Sequence, residues 1–285
     1  MKEIFEIASG SVVGNDHKWT GRNNQDNFCW LIKEKMIVAV VCDGCSESQH
    51  SDVGAKIGAR LIVEGIKREL EFDDDILKLA NFESSVPKQL WFQKLEQVQQ
   101  NVLAQLRILS LAMGGDFLKT VSDYFLFSVI GTVLTPQETV IFSLGDGMFI
   151  MNNEIVCLGP FPDNKPPYLV YRGLIESSLN EELLKFRIEK IIPTKEVQVV
   201  LIGTDGAVKL IEVSEENLPG KEQKVGPISQ FWEDDCYFKN RDMVRRRLSL
   251  INREALKPIW NEKRLTVEKG LLPDDTTLIV IHRKI

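Results

Sequence analysis

Residues 36–66 constrain the fold more than any other stretch of this sequence. They read Met-Ile-Val-Ala-Val-Val-Cys, then Asp43-Gly44, then a polar loop, then an Ala/Gly-rich run. An unbroken, largely β-branched run of this kind is a strand buried on both faces. Asp43 falls where that strand ends, and Gly44 lets the backbone approach whatever sits there. After the loop, Val53, Ile57 and Leu61 recur at helical spacing, and Ile62 and Ile66 continue the face. Gly54, Gly58 and Gly65 thin this helix so that it can lie close to a sheet. A carboxylate at the tip of a rigid buried strand needs a partner, and a cation is the obvious one.

The remaining pattern supplies strands in hairpins and a few helices. An early strand is expected within residues 1–16, followed by a polar loop from His17 to Asn27. Phe28–Ile32 and Met36–Cys42 read as a hairpin around Lys33-Glu34-Lys35. Helices are expected over Asp52–Leu70 and Pro87–Met113, separated by an acidic loop that includes Phe72–Asp75. Strands are expected over Tyr124–Leu134, Thr139–Leu144, Met148–Met151, Ile155–Leu158, Glu196–Ile202 and Thr276–Ile281. Gly159–Tyr168 is a Pro-rich loop, residues 214–235 read as a surface excursion, and a late helix is expected over Arg241–Leu256. The sum is an α+β sandwich and not a doubly wound sheet.

Charge and length narrow the function. A net charge of −6 over 285 residues argues against a general nucleic-acid role. No apolar run approaches the roughly 18 residues that span a membrane, and the N-terminus shows no signal-peptide core. Five irregularly spaced cysteines suit a reducing compartment, so a cytoplasmic location is expected.

Asp-Gly follows an apolar run three times, at Asp43-Gly44, Asp146-Gly147 and Asp205-Gly206, and Asp274-Asp275 directly precedes one. A single Asp-Gly is an ordinary turn signal. Asp43 and Asp205, however, lead into polar or helical sequence and not into a second hairpin strand. Carboxylates converging on one sheet edge repel unless cations neutralise them. Oxygen ligands without a His or Cys cluster suit Mg²⁺ or Mn²⁺ and not Zn²⁺. Two such ions sharing a carboxylate suit attack on phosphorus.

At these residues the chain resembles the metal-dependent Ser/Thr protein phosphatases of the PP2C (PPM) type, in particular the bacterial branch. The resemblance runs from His17, Gly21 and Asn24-Gln25-Asp26 to Asp274-Asp275-Thr276-Thr277. It implies an αββα sandwich, two antiparallel sheets between helix layers, formed by residues 1–285 as one domain with a lid or insert within 206–273. It implies that Asp43 bridges two metals, that the Gly44 carbonyl is a backbone ligand, and that Asp205 and Asp274 complete the set. Asp123 matches the position of a third, weaker metal, and Asp146 a structural hydrogen-bonding position. Asp26 would orient metal-bound water, and Arg22 and His17 are the phosphate-side candidates. The implied activity is hydrolysis of phosphoserine or phosphothreonine by a metal-bridging hydroxide, with Mn²⁺ or Mg²⁺ as cofactor. The implied partner is a phosphoprotein in a signalling pathway, opposite a Ser/Thr kinase, with neither nucleic acid nor membrane involved.

Three departures stand out. Many members carry Asn-Glu-Asp where this chain has Asn24-Gln25-Asp26, so Gln25 offers the second metal a neutral ligand and predicts a weaker site. Gly21 occupies the register of the family's phosphate-binding arginine, with Arg22 adjacent. Cys45 follows the first Asp-Gly where Gly or His is common. The alternative reading is therefore an inactive relative that binds phosphoproteins. Cys42-Asp-Gly-Cys45 also has redox Cys-x-x-Cys spacing, though without the βαβ unit that this use needs. His50 is a second loop histidine, and Arg245–Arg247 read as a solvated helix face.

Overall fold

β3 (Ile37–Gly44) is the strand that the apolar run predicts, and its two faces enter two different cores. Val38, Val40 and Cys42 pack toward helices, whereas Ile37, Ala39 and Val41 pack toward a second sheet. Apolar residues therefore occupy both faces and no polar alternation survives. The computed structural model describes residues 1–71, 88–162 and 165–284. The expected acidic loop at Phe72–Asp75 and the first residue of the Pro87–Met113 helix lie outside the described residues.

Two five-stranded antiparallel sheets stack face to face. One has the order β2-β3-β4-β5-β8, with β2 Asn27–Ile32, β4 Phe127–Leu134, β5 Glu138–Leu144 and β8 Arg187–Pro193. The other has the order β1-β12-β9-β6-β7, with β1 Phe5–Val12, β6 Gly147–Met151, β7 Glu154–Leu158, β9 Val199–Gly203 and β12 Thr276–Arg283. Phe5, Ile130, Phe149, Ile202 and Ile279 are among the residues that fill the space between them. A short helix, α1 (Asn15–Thr20), follows β1. The outer face of the first sheet is covered by α2 (Ser51–Glu71) and α3 (Lys88–Met113), with α4 (Phe117–Tyr124) beside them. Helix α5 (Met243–Ile251) covers β1 in the second sheet. This is the α+β sandwich that the sequence predicts.

The glycines of α2 set its approach to the sheet. A Cβ on Gly54 would lie 1.7 Å from the Tyr124 carbonyl oxygen, and one on Gly58 would lie 2.3 Å from the Phe127 ring. Only glycine permits this contact, and it holds α2 against the end of α4 and the start of β4.

Several local expectations change. Residues His17–Thr20 are helical in α1, not loop. The Tyr124–Leu134 segment divides into the end of α4, whose N-terminus Asp116 caps by accepting from the Lys119 N–H at 2.8 Å, and a strand beginning at Phe127. The Glu196–Ile202 strand begins at Val199, after a 3₁₀ turn at Thr194–Glu196. The late helix ends at Ile251, and Leu256 belongs to an unforeseen hairpin of β10 (Ala255–Ile259) and β11 (Arg264–Glu268). Residues 214–235 are not a solvated excursion. Leu218, Val225, Ile228 and Phe231 are buried and form part of the layer that covers the second sheet. Among the described residues no helix is long and apolar enough to cross a membrane.

Candidate metal centre

Register brings the acidic strand ends to one place. Gly203 in β9 is opposite Met148 in β6 and opposite Leu278 in β12. Asp146, Asp205 and Asp274 therefore leave the second sheet at the same edge. Asp43 continues the alternation of Ile37, Ala39 and Val41, which directs its carboxylate between the sheets. Asp43, Asp146, Asp205 and Asp274 line one cavity of about 440 Å³, together with Gly44, Glu47 and Asp123. None of residues 206–273 lines it. Within the 206–273 segment expected as a lid or insert, Leu218, Val225, Phe231 and Leu248 pack on the second sheet, and the strap at Lys165–Tyr171 borders the cavity.

Electrostatics here are dominated by unneutralised acid. Burial pushes the Asp43 carboxyl well above the usual carboxylate range, and the fields of Asp26, Asp205, Asp146 and Asp274 push it further. Burial and then Asp205 also raise Asp146, to about 6, against hydrogen bonding from its own backbone and from Ser128. Asp274 is raised by burial and Asp205, with His17 opposing. Asp26, which does not line the cavity, is raised by burial and by Asp275, while its Oδ2 accepts from Thr204 Oγ1 at 2.7 Å. The other oxygen, Asp26 Oδ1, is buried with no hydrogen-bond partner. Only His17 and Lys165 are basic among the described residues that line the cavity.

A divalent cation fits these residues. The donors are mostly carboxylate oxygens, their mutual repulsion asks for positive charge, and a buried carboxylate oxygen stands open beside them. Ligand atoms of His17, Asp274 and Asp275 also lie within 4.8 Å of one another. Asp275 is already engaged, however. Its Oδ1 accepts from the Gly14 N–H at 2.6 Å and its Oδ2 from the Gln25 N–H at 2.5 Å. His17 Nδ1 lies 2.9 Å from Asp275 Oδ2 without hydrogen-bond alignment.

The raised carboxyls set a pH dependence. Between 3.8, the ordinary value for Asp, and about 6, folded Asp146 holds a proton that the unfolded chain has released. Protons thus favour the folded form, and metal-free stability from this group falls as pH rises through that window, by on the order of 3 kcal/mol in all. In EDTA, Asp146→Asn should flatten this part of the Tm-against-pH curve, and Mn²⁺ should restore wild-type Tm above pH 6. Parallel curves for wild type and Asp146→Asn would remove Asp146 from the acidic field.

Not every sequence-predicted residue reaches the cavity. Asp43, Gly44, Asp205, Asp274, Asp123 and His17 do. Asp123 Oδ2 is paired with Lys119 Nζ at 2.6 Å. The Arg22 guanidinium instead donates to the Ser46 carbonyl and does not line the cavity. The His50 ring lies tilted against Tyr124, with centroids 4.7 Å apart. Cys42 belongs to the helix-side core and Cys45 borders the cavity, both as free thiols.

Gln25 is also absent from the cavity wall. Its Nε2 donates to Ser51 Oγ at 2.7 Å, with the Cys45 and Ser48 carbonyls at 3.3 and 3.4 Å. The amide thus ties the N-terminal loop to the loop after β3. Gln25→Glu would place a carboxylate against two carbonyl oxygens in an already acidic region. The expected result is a loss of roughly 2–4 kcal/mol in denaturant unfolding, with no gain in metal affinity. Tighter Mn²⁺ activation in Gln25→Glu would return Gln25 to the metal.

Sequence reasoning missed Lys165 and Tyr168, and it gave Asp275 no role of its own. The Pro-flanked Lys165 carries a local signal, but which cavity it borders depends on how the strap docks. The Tyr168 hydroxyl is held protonated by burial first and then by its contact with Cys45.

Comparison with known proteins agrees with this arrangement. A sequence model of the family described as protein phosphatase 2C matches residues 13–240. A sequence search against curated proteins gives no match. Among solved structures, a serine-threonine phosphatase 2C from Toxoplasma gondii is similar at 13% identity, with a TM-score of 0.56, over 99% of this chain and 95% of that one. A bacterial serine phosphatase is similar at 13% identity and a TM-score of 0.54, over 98% of both chains. The serine/threonine phosphatase Stp1 from Staphylococcus aureus is similar at 13% identity and a TM-score of 0.50, over 99% and 96%. At these identities the structural likeness speaks for the fold.

Proposed function

Because the chain belongs to the protein phosphatase 2C family, we propose that it is a metal-dependent protein phosphatase acting on phosphoserine and phosphothreonine. The observation that carries this reading is the meeting of Asp43, Asp205 and Asp274, from three separate strand ends, in one cation-poor cavity. Asp43 would hold two ions between them, with Asp205, Asp274 and the Gly44 carbonyl as further ligands. Asp123, when it leaves Lys119, would hold a third and weaker ion. Divalent cations, Mn²⁺ or Mg²⁺, would supply a water-derived nucleophile and offset the phosphoryl charge.

The protein's own groups do the rest. Asp26, fixed by Thr204, presents its free Oδ1 as a hydrogen-bond acceptor for water. His17, on the cavity wall near Asp274, would protonate the departing serine or threonine oxygen. The partners of such an enzyme are phosphoproteins made by Ser/Thr kinases in the cytoplasm.

Mn²⁺-dependent phosphate release from p-nitrophenyl phosphate and from a phosphothreonine peptide tests the proposal. Turnover that EDTA abolishes is expected. Mn²⁺ and phosphopeptide binding without turnover would establish the second reading, a binding module, which the capture of Arg22 by Ser46 favours.

A further inference from the structure

Basic side chains at or near the acidic cavity among the described residues include His17, Arg22, Lys119 and Lys165, and Lys119 is paired with Asp123. His17 lies against Asp275, and Arg22 donates to the Ser46 carbonyl outside the cavity. Lys165 borders the cavity, and its ammonium has no hydrogen bond or ion pair among the described residues. Most of the cavity's other charged residues are acids, so a cation with no structural bond among the described residues is unusual here.

The chain around Lys165 fixes its position. Its backbone N–H donates to the Pro162 carbonyl at 3.1 Å, and Pro166 and Pro167 restrict the next two φ angles. Tyr168 is buried and meets Tyr171 edge-on, with centroids 5.4 Å apart, and Leu169 and Val170 enter the helix-side core. On the other side, the Pro167 carbonyl oxygen lies 3.3 Å from where a Cβ on Gly145 would be, and Gly145 has φ +101°. The strap thus rests on the turn that presents Asp146. An exposed lysine carried on so anchored a backbone has a defined base and a mobile, solvated head.

We propose that Lys165 is the phosphate-binding cation of this site, contacting the non-reacting phosphoryl oxygens of the substrate and the released phosphate. The proposal rests on the phosphatase reading above. A lysine suits this role as a point charge that needs no fixed fork geometry. It also accounts for how a site whose N-terminal arginine is turned away can still receive a dianion beside several carboxylates.

The test compares Mn²⁺-loaded wild type, Lys165→Met and Lys165→Arg by calorimetric titration with inorganic phosphate, by Mn²⁺ titration and by p-nitrophenyl phosphate kinetics. Lys165→Met should weaken phosphate binding about tenfold or more and raise KM by a similar factor. Its Mn²⁺ affinity should be no weaker than wild type and its Tm unchanged, and Lys165→Arg should recover most of the phosphate affinity. Equal phosphate affinity in wild type and Lys165→Met would overturn the proposal while leaving the phosphatase reading intact. So would a loss of phosphate binding that follows a loss of Mn²⁺ binding. A wild type that binds Mn²⁺ but neither binds phosphate nor turns over substrate would overturn both.

Discussion

Asp43→Asn is expected to cut metal-dependent phosphate release by roughly a thousandfold or more while raising the Tm of the metal-free protein. Both halves come from one carboxylate. Asp43 is the only cavity acid that extends from β3, and its register directs it between the sheets toward Asp146, Asp205 and Asp274. A ligand shared by two ions cannot be replaced by a neutral amide without loosening both. Without metal, the same carboxylate is a liability, because burial and four neighbouring acids already resist its ionisation. Removing it relieves that repulsion near neutral pH and should raise the Tm. Turnover and EDTA melting curves check the two halves independently. Near-normal turnover at saturating Mn²⁺ would end the shared-ligand assignment. A lower EDTA Tm in the variant would end the repulsion account.

The part of this site that was legible in sequence is the part set by strands buried on both faces. The run before Asp43 shows no alternation because Val38, Val40 and Cys42 enter one core while Ile37, Ala39 and Val41 enter another. β9 and β12 behave alike, so the acids at their ends could be located from sequence. β8 was missed because it is an edge strand in which Arg187, Glu189 and Lys190 interrupt the apolar pattern. The β10–β11 hairpin was missed because Leu256, Leu265 and Val267 are exposed and give no core signal. Helix α1 has only six residues, too few for a periodic pattern.

Side-chain allegiance was the harder problem. Gln25 looks like a ligand by position, yet Ser51 and two carbonyls from the loop after β3 hold its amide. Arg22 looks like a phosphate-binding group by position, yet the Ser46 carbonyl holds it. Both partners belong to one tertiary contact between loops, which no local pattern encodes. Residues 214–235 look polar in bulk, yet Leu218, Val225, Ile228 and Phe231 are spaced so as to help cover a sheet.

That loop contact is pinned by Asp275, which should be the most stability-critical carboxylate near the cavity. It is 3% exposed, and its two oxygens accept from the backbone N–H groups of Gly14 and Gln25. The segment between them contains α1 and His17, and Asp26 follows directly. Asp275→Ala would leave two buried donors unpaired, at about 1–3 kcal/mol each, for a loss of roughly 2–6 kcal/mol. This is a large share of the 5–15 kcal/mol typical of a folded domain. Asp275→Asn should fall between wild type and Ala, because its amide keeps one acceptor oxygen but turns a second donor toward an N–H. The two roles open to Asp275, anchor or metal ligand with His17 and Asp274, separate cleanly by metal dependence. An anchor is lost equally with and without metal. Urea unfolding in EDTA and in Mn²⁺ should therefore show similar losses for Asp275→Ala, and hydrogen exchange at the Gly14 and Gln25 amides should accelerate in both. A variant as stable as wild type in EDTA but deficient only in Mn²⁺ would make Asp275 a ligand, and the loop would need another anchor.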